Sequence, residues 1–270
     1  MATDQQTVQR LAMRAEFPLS NHYDPHWIIA NQMGPNPLWL TEWLCQEVTL
    51  RPGMRILDLG CGRGLSSIFL AKAYGVQVWA TDLWISANDN LGRIRAAGLA
   101  DQVFPIHADA RNLPYAAAFF DAILCIDAYI YFGTDDLYLD YLHRFVRPGG
   151  QIGIVVPGFM QELAGPLPEH LRPFWAQECW TWHTLAWWQQ HWRRTGLVQL
   201  EVGETMPDGW LIWQQWEQAR QAAGDDSTAL QSDIDVLEAD GGQYMGFLKL
   251  IARRGDPEAA ASECNQPLKG

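Results

Sequence analysis

The 270-residue chain has few positive charges. Lysine occurs only at Lys72, Lys249 and Lys269, and the formal net charge is −12. Proteins that bind nucleic acid neutralise its phosphates with clusters of lysine and arginine. The charge balance therefore argues against nucleic acid as a partner.

Long apolar runs are also missing. The longest, around 119–132, contains Asp121 and Asp127 and is too short to cross a bilayer. The N-terminal residues carry charges without the continuous apolar stretch of a secretory signal. The sequence therefore predicts no membrane span and a cytoplasmic protein.

Cysteines are few and scattered. There are five, an odd number, and none form a CxxC pair, so the sequence predicts reduced thiols rather than a disulfide framework or a zinc site. Cys179, His183 and His191 lie on one helical stretch without a carboxylate at ligand spacing. No metal is predicted, and these histidines are interpreted as packed or solvated.

The chain does contain a regular alternation of short apolar strands and helices. A helix over 135–146 is predicted to end at Arg147-Pro148-Gly149-Gly150, the turn that starts the fifth strand. The alternation predicts an α/β fold with a seven-stranded, mostly parallel sheet and helices on both faces. The predicted strands are 54–59, 76–80, 103–106, 120–126, 151–156, 197–202 and 244–252.

Five regions follow from this pattern. Pro37 at the first turn of a helix marks an N-terminal helical cap, and the prolines and tryptophans after the fifth strand suggest a lid. The regions are a cap at 1–50, a core at 51–157, a tryptophan-rich lid at 158–196, the completion of the sheet with inserted helices at 197–254, and a disordered tail at 255–270.

A glycine motif joins the first strand to the following helix. In Asp58-x-Gly60-x-Gly62-x-Gly64 the small residues let backbone N–H groups approach a ligand closely. A dinucleotide motif would need glycine at position 65, where Leu65 stands, so a nicotinamide cofactor is disfavoured. Asp82 closes the second strand twenty positions after Gly62, a spacing that lets a carboxylate reach ribose hydroxyls.

Five motifs follow one another along the chain: ILDLGCGRG at 56–64, TDLW at 81–84, HADARNLPY at 107–115, FFDAILCIDAY at 119–129 and RPGG at 147–150. Through these motifs the sequence resembles the class I S-adenosylmethionine-dependent methyltransferases. It is most similar to the small-molecule branch that includes ubiquinone/menaquinone C-methyltransferases and cyclopropane-fatty-acid synthases. The resemblance implies a Rossmann-like fold, S-adenosylmethionine as cofactor and a small-molecule methyl acceptor.

The resemblance also implies residues for the methionine part of the cofactor. Gly60, Cys61 and Gly62 would line it, while Asp58 would order the turn and meet the amino group through water. The alternative for Asp58 is that it only caps the following helix.

For the adenosine part, the resemblance implies that Asp82 accepts from both ribose hydroxyls and that Leu83 packs on the adenine. Asp109 would accept from the exocyclic amine, and the Ala110 backbone would donate to a ring nitrogen. Asp82 and Asp109 could instead be turn residues at strand ends.

Acceptor-side candidates come from the ends of the fourth and fifth strands and from the cap, because open α/β sheets bind ligands at the carboxyl ends of their strands. Asp127 and Tyr129 would deprotonate or orient the acceptor, or serve only in packing. Tyr23 resembles the cap tyrosine that touches the cofactor in the cyclopropane-synthase branch. The catalytic candidates are Asp127, Tyr129, Tyr23 and His26, and Tyr131 is expected to contact the acceptor.

Several of the 14 tryptophans crowd the predicted lid. Trp187 and Trp188 would either bury a broadly apolar helix against the sheet or a second subunit, or form an aromatic wall for an apolar or cationic acceptor.

The leading functional hypothesis is methyl transfer to a small molecule. The alternatives are a protein or nucleic-acid methyltransferase on the same fold and a non-catalytic module that binds the cofactor. The sequence is compatible with a homodimer and leaves the acceptor atom open.

Overall fold

The structure, a computed structural model, describes residues 5–163 and 165–255. The predicted disordered tail lies outside the described residues except for Gly255. Among the described residues, no helix is both long enough and apolar enough to cross a bilayer.

A seven-stranded sheet forms the centre of the protein, in the order β3-β2-β1-β4-β5-β7-β6. The first five strands run parallel, and β7 runs antiparallel to both β5 and β6. This confirms the predicted fold class. The strands are β1 (Arg55–Leu59), β2 (Gln77–Asp82), β3 (Val103–His107), β4 (Phe120–Ile126), β5 (Val146–Phe159), β6 (Val198–Thr205) and β7 (Met245–Arg254).

The central strands are nearly continuous apolar runs because both of their faces are covered. Every residue of β4 except Asp121 is buried, as are the first eight residues of β7. The helices that cover the sheet, and those of the cap, are α1 (Gln5–Ala12), α2 (Pro25–Asn31), α3 (Pro37–Cys45), α4 (Leu65–Tyr74), α5 (Ala87–Ala96), α6 (Tyr138–Leu142), α7 (Leu185–Arg193), α8 (Gly209–Ala222) and α9 (Thr228–Asp240).

Two predicted boundaries around β5 are wrong. The helix predicted over 135–146 is only α6, and β5 begins at Val146, before the turn that was expected to start it. Phe120 pairs with Val146 but Ala122 pairs with Gln151, so residues 147–150 form an irregular bulge inside the strand. Gly149 has φ +71°, which supplies the left-handed turn of this bulge.

The N-terminal cap consists of short helices with well-defined starts. The Asp24 and Asn36 side chains cap α2 and α3, each followed by proline at the first helical position. On α8, Gln215 donates from Nε2 to the Leu11 carbonyl at 2.8 Å, which ties α1 to the C-terminal half of the chain. The loop of the cap at 31–37 lies near the carboxyl ends of the strands.

The tryptophan-rich segment packs against the core. Trp188 and Trp192 on α7 are completely buried, and both rings pack on Tyr129, at centroid distances of 5.6 and 5.8 Å. Trp213 and Trp216 on α8 are buried too, as their helical spacing indicates.

Candidate functional site

One cleft of about 1130 Å³, counting the part open to solvent, lies at the carboxyl ends of β1, β2 and β4. The parallel strands place their following loops at this edge, which is where open α/β sheets bind ligands. The cap loop forms the facing wall. The lining comes from residues 31–35 and 37, 59–63, 65–66, 81–84, 108–111, 126–128 and 131–132.

The glycine turn after β1 forms the base of the cleft. Gly60, Gly62 and Gly64 all have left-handed backbone conformations, with φ of 74°, 53° and 78°. A Cβ on Gly60 would lie 2.4 Å from the Ala128 Cβ, and one on Gly62 would lie 3.0 Å from the Met33 sulfur. Glycine is needed here for both its conformation and its small size.

Asp58 lies beneath this turn, fully buried. Its Oδ2 accepts hydrogen bonds of 2.6 Å from the hydroxyls of Ser66 and Ser67 in the first turn of α4. Its Oδ1 has no hydrogen-bond partner among the described residues. Burial raises the pKa of Asp58 to about 6, with the nearby Asp82 carboxylate adding to the shift. An unpartnered buried oxygen suits a donor such as an ammonium group or a bridging water.

Asp82 joins the glycine turn to the loop after β2. Its Oδ2 accepts from the Gly62 N–H at 2.8 Å, and its Oδ1 accepts from the N–H groups of Trp84 and Ile85 at 2.7 and 2.8 Å. A carboxylate offers about four acceptor positions and three are used here, so Asp82, which lines the cleft, keeps acceptor capacity on Oδ2. The assignment of Asp82 to the ribose hydroxyls stays a prediction.

The far wall contains the residues expected near an adenine. Leu83 is 48% exposed and lines the cleft together with Asp109 and Ala110. Asp109 Oδ1 accepts from the Arg111 N–H at 2.8 Å, so this carboxylate also stabilises its own turn. Above it, the rings of Trp84 and Tyr131 meet edge to face at 5.1 Å.

Asp127 also lines the cleft, directly after β4, in a left-handed conformation with φ +59°. A Cβ on Gly34 of the cap loop would lie 2.5 Å from its Oδ2, so only glycine at position 34 leaves room for this carboxylate. Burial raises the pKa of Asp127 to about 7. A carboxyl with this pKa can accept or release a proton near neutral pH.

The structure brings together ten of the predicted site residues and leaves others outside. The cleft is lined by the predicted residues Gly60, Cys61, Gly62, Asp82, Leu83, Asp109, Ala110, Asp127 and Tyr131, with Asp58 directly below the turn.

Three candidates for catalysis lie elsewhere. Tyr129 was expected to face the cleft, but its ring is fully buried under α7 and its hydroxyl has no partner among the described residues. Tyr23 stacks on Trp27 and packs against Phe69 of α4, away from the cleft lining. His26, on α2, is also absent from that lining. The reason is that the chain leaves the extended conformation after β4 and enters a 3₁₀ turn at Tyr129–Tyr131, where successive side chains point about 120° apart and the strand alternation no longer applies.

The tryptophan-rich segment does not cover the cleft as a lid. No described residue of 158–196 contributes to the lining. Trp188 belongs to the core, and Trp187 stacks between His183 and His191 at centroid distances of 3.7 and 4.5 Å. Trp188 is thus buried as the packing interpretation of this helix describes, and neither tryptophan ring lines the cleft in this structure.

The cap loop was missed. Residues 31–37, with the sequence NQMGPNP, supply Gln32, Met33 and Gly34 to the cleft. The cluster of glycine, proline and asparagine between two helices marks a loop, but only the fold shows that this loop faces the strand ends.

Comparison with known proteins agrees with this geometry. Residues 56–150 match a family model described as a methyltransferase domain. A curated relative, methyltransferase GfsG of Streptomyces halstedii, is 34% identical over 166 residues, which cover 58% of this chain and 59% of that protein. Demethylmenaquinone methyltransferase of Clavibacter sepedonicus is 42% identical over 127 residues, covering 45% of this chain and 48% of that protein. The chain thus spans about half the length of these relatives.

Among solved structures, the [4+2]-cyclase SpnF matches with a TM-score of 0.67 and 18% identity, covering 92% of this chain and 97% of that one. At that identity the similarity concerns the fold alone. The family match, the curated relatives, and the glycine turn with its two flanking carboxylates agree in supporting a class I S-adenosylmethionine-dependent methyltransferase domain over residues 56–150.

Proposed function

We propose that this protein transfers a methyl group from S-adenosylmethionine to a small-molecule acceptor bound in the cleft beside Asp127. The observation that carries the proposal is that the glycine turn with Asp82 and the carboxylate of Asp127 open into one cleft. A cofactor and an acceptor bound there would be neighbours, which is what direct transfer requires.

The cofactor assignment is supported by three features of the cleft. The unpartnered Oδ1 of Asp58 suits the amino end, the backbone of the glycine turn allows close approach, and the free acceptor position of Asp82 suits one ribose hydroxyl. Leu83, Asp109 and Ala110 would hold the adenine. When bound, S-adenosylmethionine supplies an electrophilic methyl group on a positively charged sulfur.

The main catalytic contribution of the protein would be to position the methyl donor and the acceptor. Holding two reactants in line and near contact can contribute roughly 7–11 kcal/mol to the lowering of a barrier. Asp127 would accept the proton of a hydroxyl or protonated amine acceptor, a role that fits its pKa of about 7. Tyr131 and the apolar residues beside it would hold the acceptor's body.

A small molecule is favoured over a macromolecule because the cleft is enclosed by the cap loop and the chain is strongly acidic. The relatives reported above carry names of methyltransferases, whereas a cyclase shares the fold, so turnover has to be measured directly. The cytoplasmic location and a homodimer also belong to this proposal, and fractionation and sedimentation would test them.

The test begins with calorimetric titration of S-adenosylhomocysteine into the wild-type protein and Asp82→Ala. Loss of a hydrogen bond to a charged acceptor is expected to weaken binding by about 10- to 150-fold. Asp101→Ala, which removes an exposed carboxylate outside the cleft, is the matched control and should bind normally. Equal affinity in wild type and Asp82→Ala would contradict the ribose assignment.

Radiolabelled S-adenosylmethionine would then be incubated with the protein and separate pools of metabolites, protein and nucleic acid. Label in a metabolite supports the proposal, and label in protein or nucleic acid supports the macromolecular alternative. Tight binding of S-adenosylhomocysteine without transfer to any pool would favour a non-catalytic module.

A further inference from the structure

Residues 30–34, called the strap below, end α2 and lead toward α3, and residues 31–34 line the cleft. Three strap residues are hydrogen-bonded to the rest of the domain: Arg63 donates to the Ala30 carbonyl, Arg93 to Asn31, and Trp216 to Gln32. The other two lie close to it, because a Cβ on Gly62 would be 3.0 Å from the Met33 sulfur and a Cβ on Gly34 would be 2.5 Å from Asp127 Oδ2.

One of these contacts belongs to a longer chain of hydrogen bonds. Arg93 on α5 donates from Nε to Asn31 Oδ1 and from Nη1 to Asn90 Oδ1, both at 3.1 Å. Asn90 in turn donates from Nδ2 to the Gly62 carbonyl at 2.9 Å. The N–H of Gly62 donates to Asp82 at 2.8 Å. The chain therefore runs from the ribose-side carboxylate, through the glycine turn, to the strap.

The side chains in this chain of hydrogen bonds have the donor and acceptor groups that it requires. Arginine only donates and a backbone carbonyl only accepts, so a side chain between them must accept at one end and donate at the other. Asn90 does so with both atoms of its amide and is buried, at 1% exposure. Asn31 uses both amide atoms as well, because its Nδ2 donates to the Trp27 carbonyl at 2.9 Å. Each amide therefore has only one orientation that satisfies its partners.

The strap in turn forms the wall of both halves of the cleft. The Met33 sulfur lies over Gly62, and Gly34 lies against the carboxylate of Asp127. A displacement of the strap would thus alter the cofactor side and the acceptor side together.

We propose that Asn90 and Arg93 are positioning residues that couple cofactor binding at the glycine turn to the placement of the strap over the acceptor end. The identity of the ligand rests on the proposed function. Because coupling between two sites is reciprocal, an acceptor held under the strap strengthens cofactor binding by the same factor. Neither residue touches the reacting atoms.

Amide hydrogen exchange of the full-length protein, with and without saturating S-adenosylhomocysteine, tests the coupling. In the wild type the ligand is expected to slow exchange in both the glycine turn and the strap. In Arg93→Ala it should slow exchange in the turn while leaving the strap nearly unchanged, and ligand affinity should fall by about fivefold to tenfold. Arg95→Ala, an exposed arginine on the same helix, is the matched control and should behave as wild type.

Asn31→Ala provides a second route if Arg93→Ala fails to fold, because it removes the same hydrogen bond from the partly exposed strap side. Asn31→Asp keeps an acceptor for Arg93 and is expected to retain most of the strap protection. Equal strap protection in Arg93→Ala, Asn31→Ala and Arg95→Ala would overturn the inference while leaving the proposed function intact. A wild-type protein that does not bind S-adenosylhomocysteine would overturn both.

Discussion

Two segments lie outside the sheet near the strand ends, and they have opposite roles. The tryptophan-rich segment at 158–196 has the composition expected of a binding wall, yet it places Trp188 and Trp192 in the core. The cap loop at 31–37 has an unremarkable composition, yet it lines the cleft. Large aromatic side chains stabilise any interface in which they are buried, including the protein core. A ligand site instead needs accessible backbone groups and a few polar side chains in defined positions.

Gly62→Val should have the largest effect on ligand binding, because Gly62 lies where the glycine turn packs closest to Met33 of the cap loop. A branched side chain there would clash with the cap loop and would be strained at φ +53°. We expect S-adenosylhomocysteine binding to be lost in calorimetry while circular dichroism shows a folded protein. Gly98→Val is the matched control, because Gly98 has φ +72° but open space around it. If both variants bind equally well, the cleft does not hold the cofactor at this turn.

Trp188→Ala tests the other segment. Removing a fully buried tryptophan is expected to lower the free energy of unfolding by about 3–5 kcal/mol. Ligand affinity of the folded fraction should stay close to wild type, because the ring lies outside the cleft. Trp187→Ala should cost less, about 1 kcal/mol, since its ring is only partly buried. A selective loss of acceptor turnover in either variant, with stability unchanged, would restore the lid interpretation.

Asp127→Asn concerns the end of the cleft where the cap loop meets β4. Turnover of an acceptor that must lose a proton is expected to fall by about 100-fold or more. Wild-type turnover should rise with pH through about 7 as the carboxyl ionises, and this dependence should vanish in the variant. Asparagine tolerates the left-handed conformation, so the backbone should be preserved. Asp208→Asn is the control, because Asp208 is exposed and also has a left-handed conformation, with φ +51°. This substitution should change neither the turnover nor its dependence on pH.

The raised pKa of Asp127 also predicts that the free energy of unfolding depends on pH. Because the pKa of Asp127 is raised in the folded state, the folded protein binds more protons than the unfolded chain between about pH 4 and 7. This carboxyl therefore lowers the free energy of unfolding as pH rises through that window. Asp127→Asn should be more stable than wild type at about pH 8 and similar to it near pH 4, as urea denaturation can measure. Equal stability of the two proteins at about pH 8 would contradict the raised pKa.

Met33→Ala should have the smallest effect. The side chain is 48% exposed and contributes little to the core, so the free energy of unfolding should hardly change. Affinity for S-adenosylhomocysteine should fall by about threefold, reflecting a partly buried apolar contact over the turn. Met13→Ala, at 45% exposure and outside the cleft, is the control. If both variants lose the same affinity, the cap loop does not contact the ligand.

Prediction from the sequence worked best where one short segment of backbone forms both a local structural motif and the ligand site. The strand, glycine turn and helix at 55–74, with Asp82 at the end of the next strand, were predicted in their correct places. It worked less well around β5, because the bulge at 147–150 depends on pairing with β4 rather than on the turn sequence. Tyr129 illustrates a second limit: a residue three positions after the end of a strand can face either side of the sheet.

By itself, the sequence determined the order of strands and helices, the glycine turn and the resemblance to methyltransferases, because apolar periodicity and left-handed glycines act within a few residues of each other. Tertiary structure alone decided that a loop from the cap, rather than the tryptophans, encloses Asp127. That outcome depends on contacts between residues far apart in the chain, such as Asn31 with Arg93 and Gln32 with Trp216. No local pattern encodes such pairs, since each becomes favourable only after the sheet has brought its partners together.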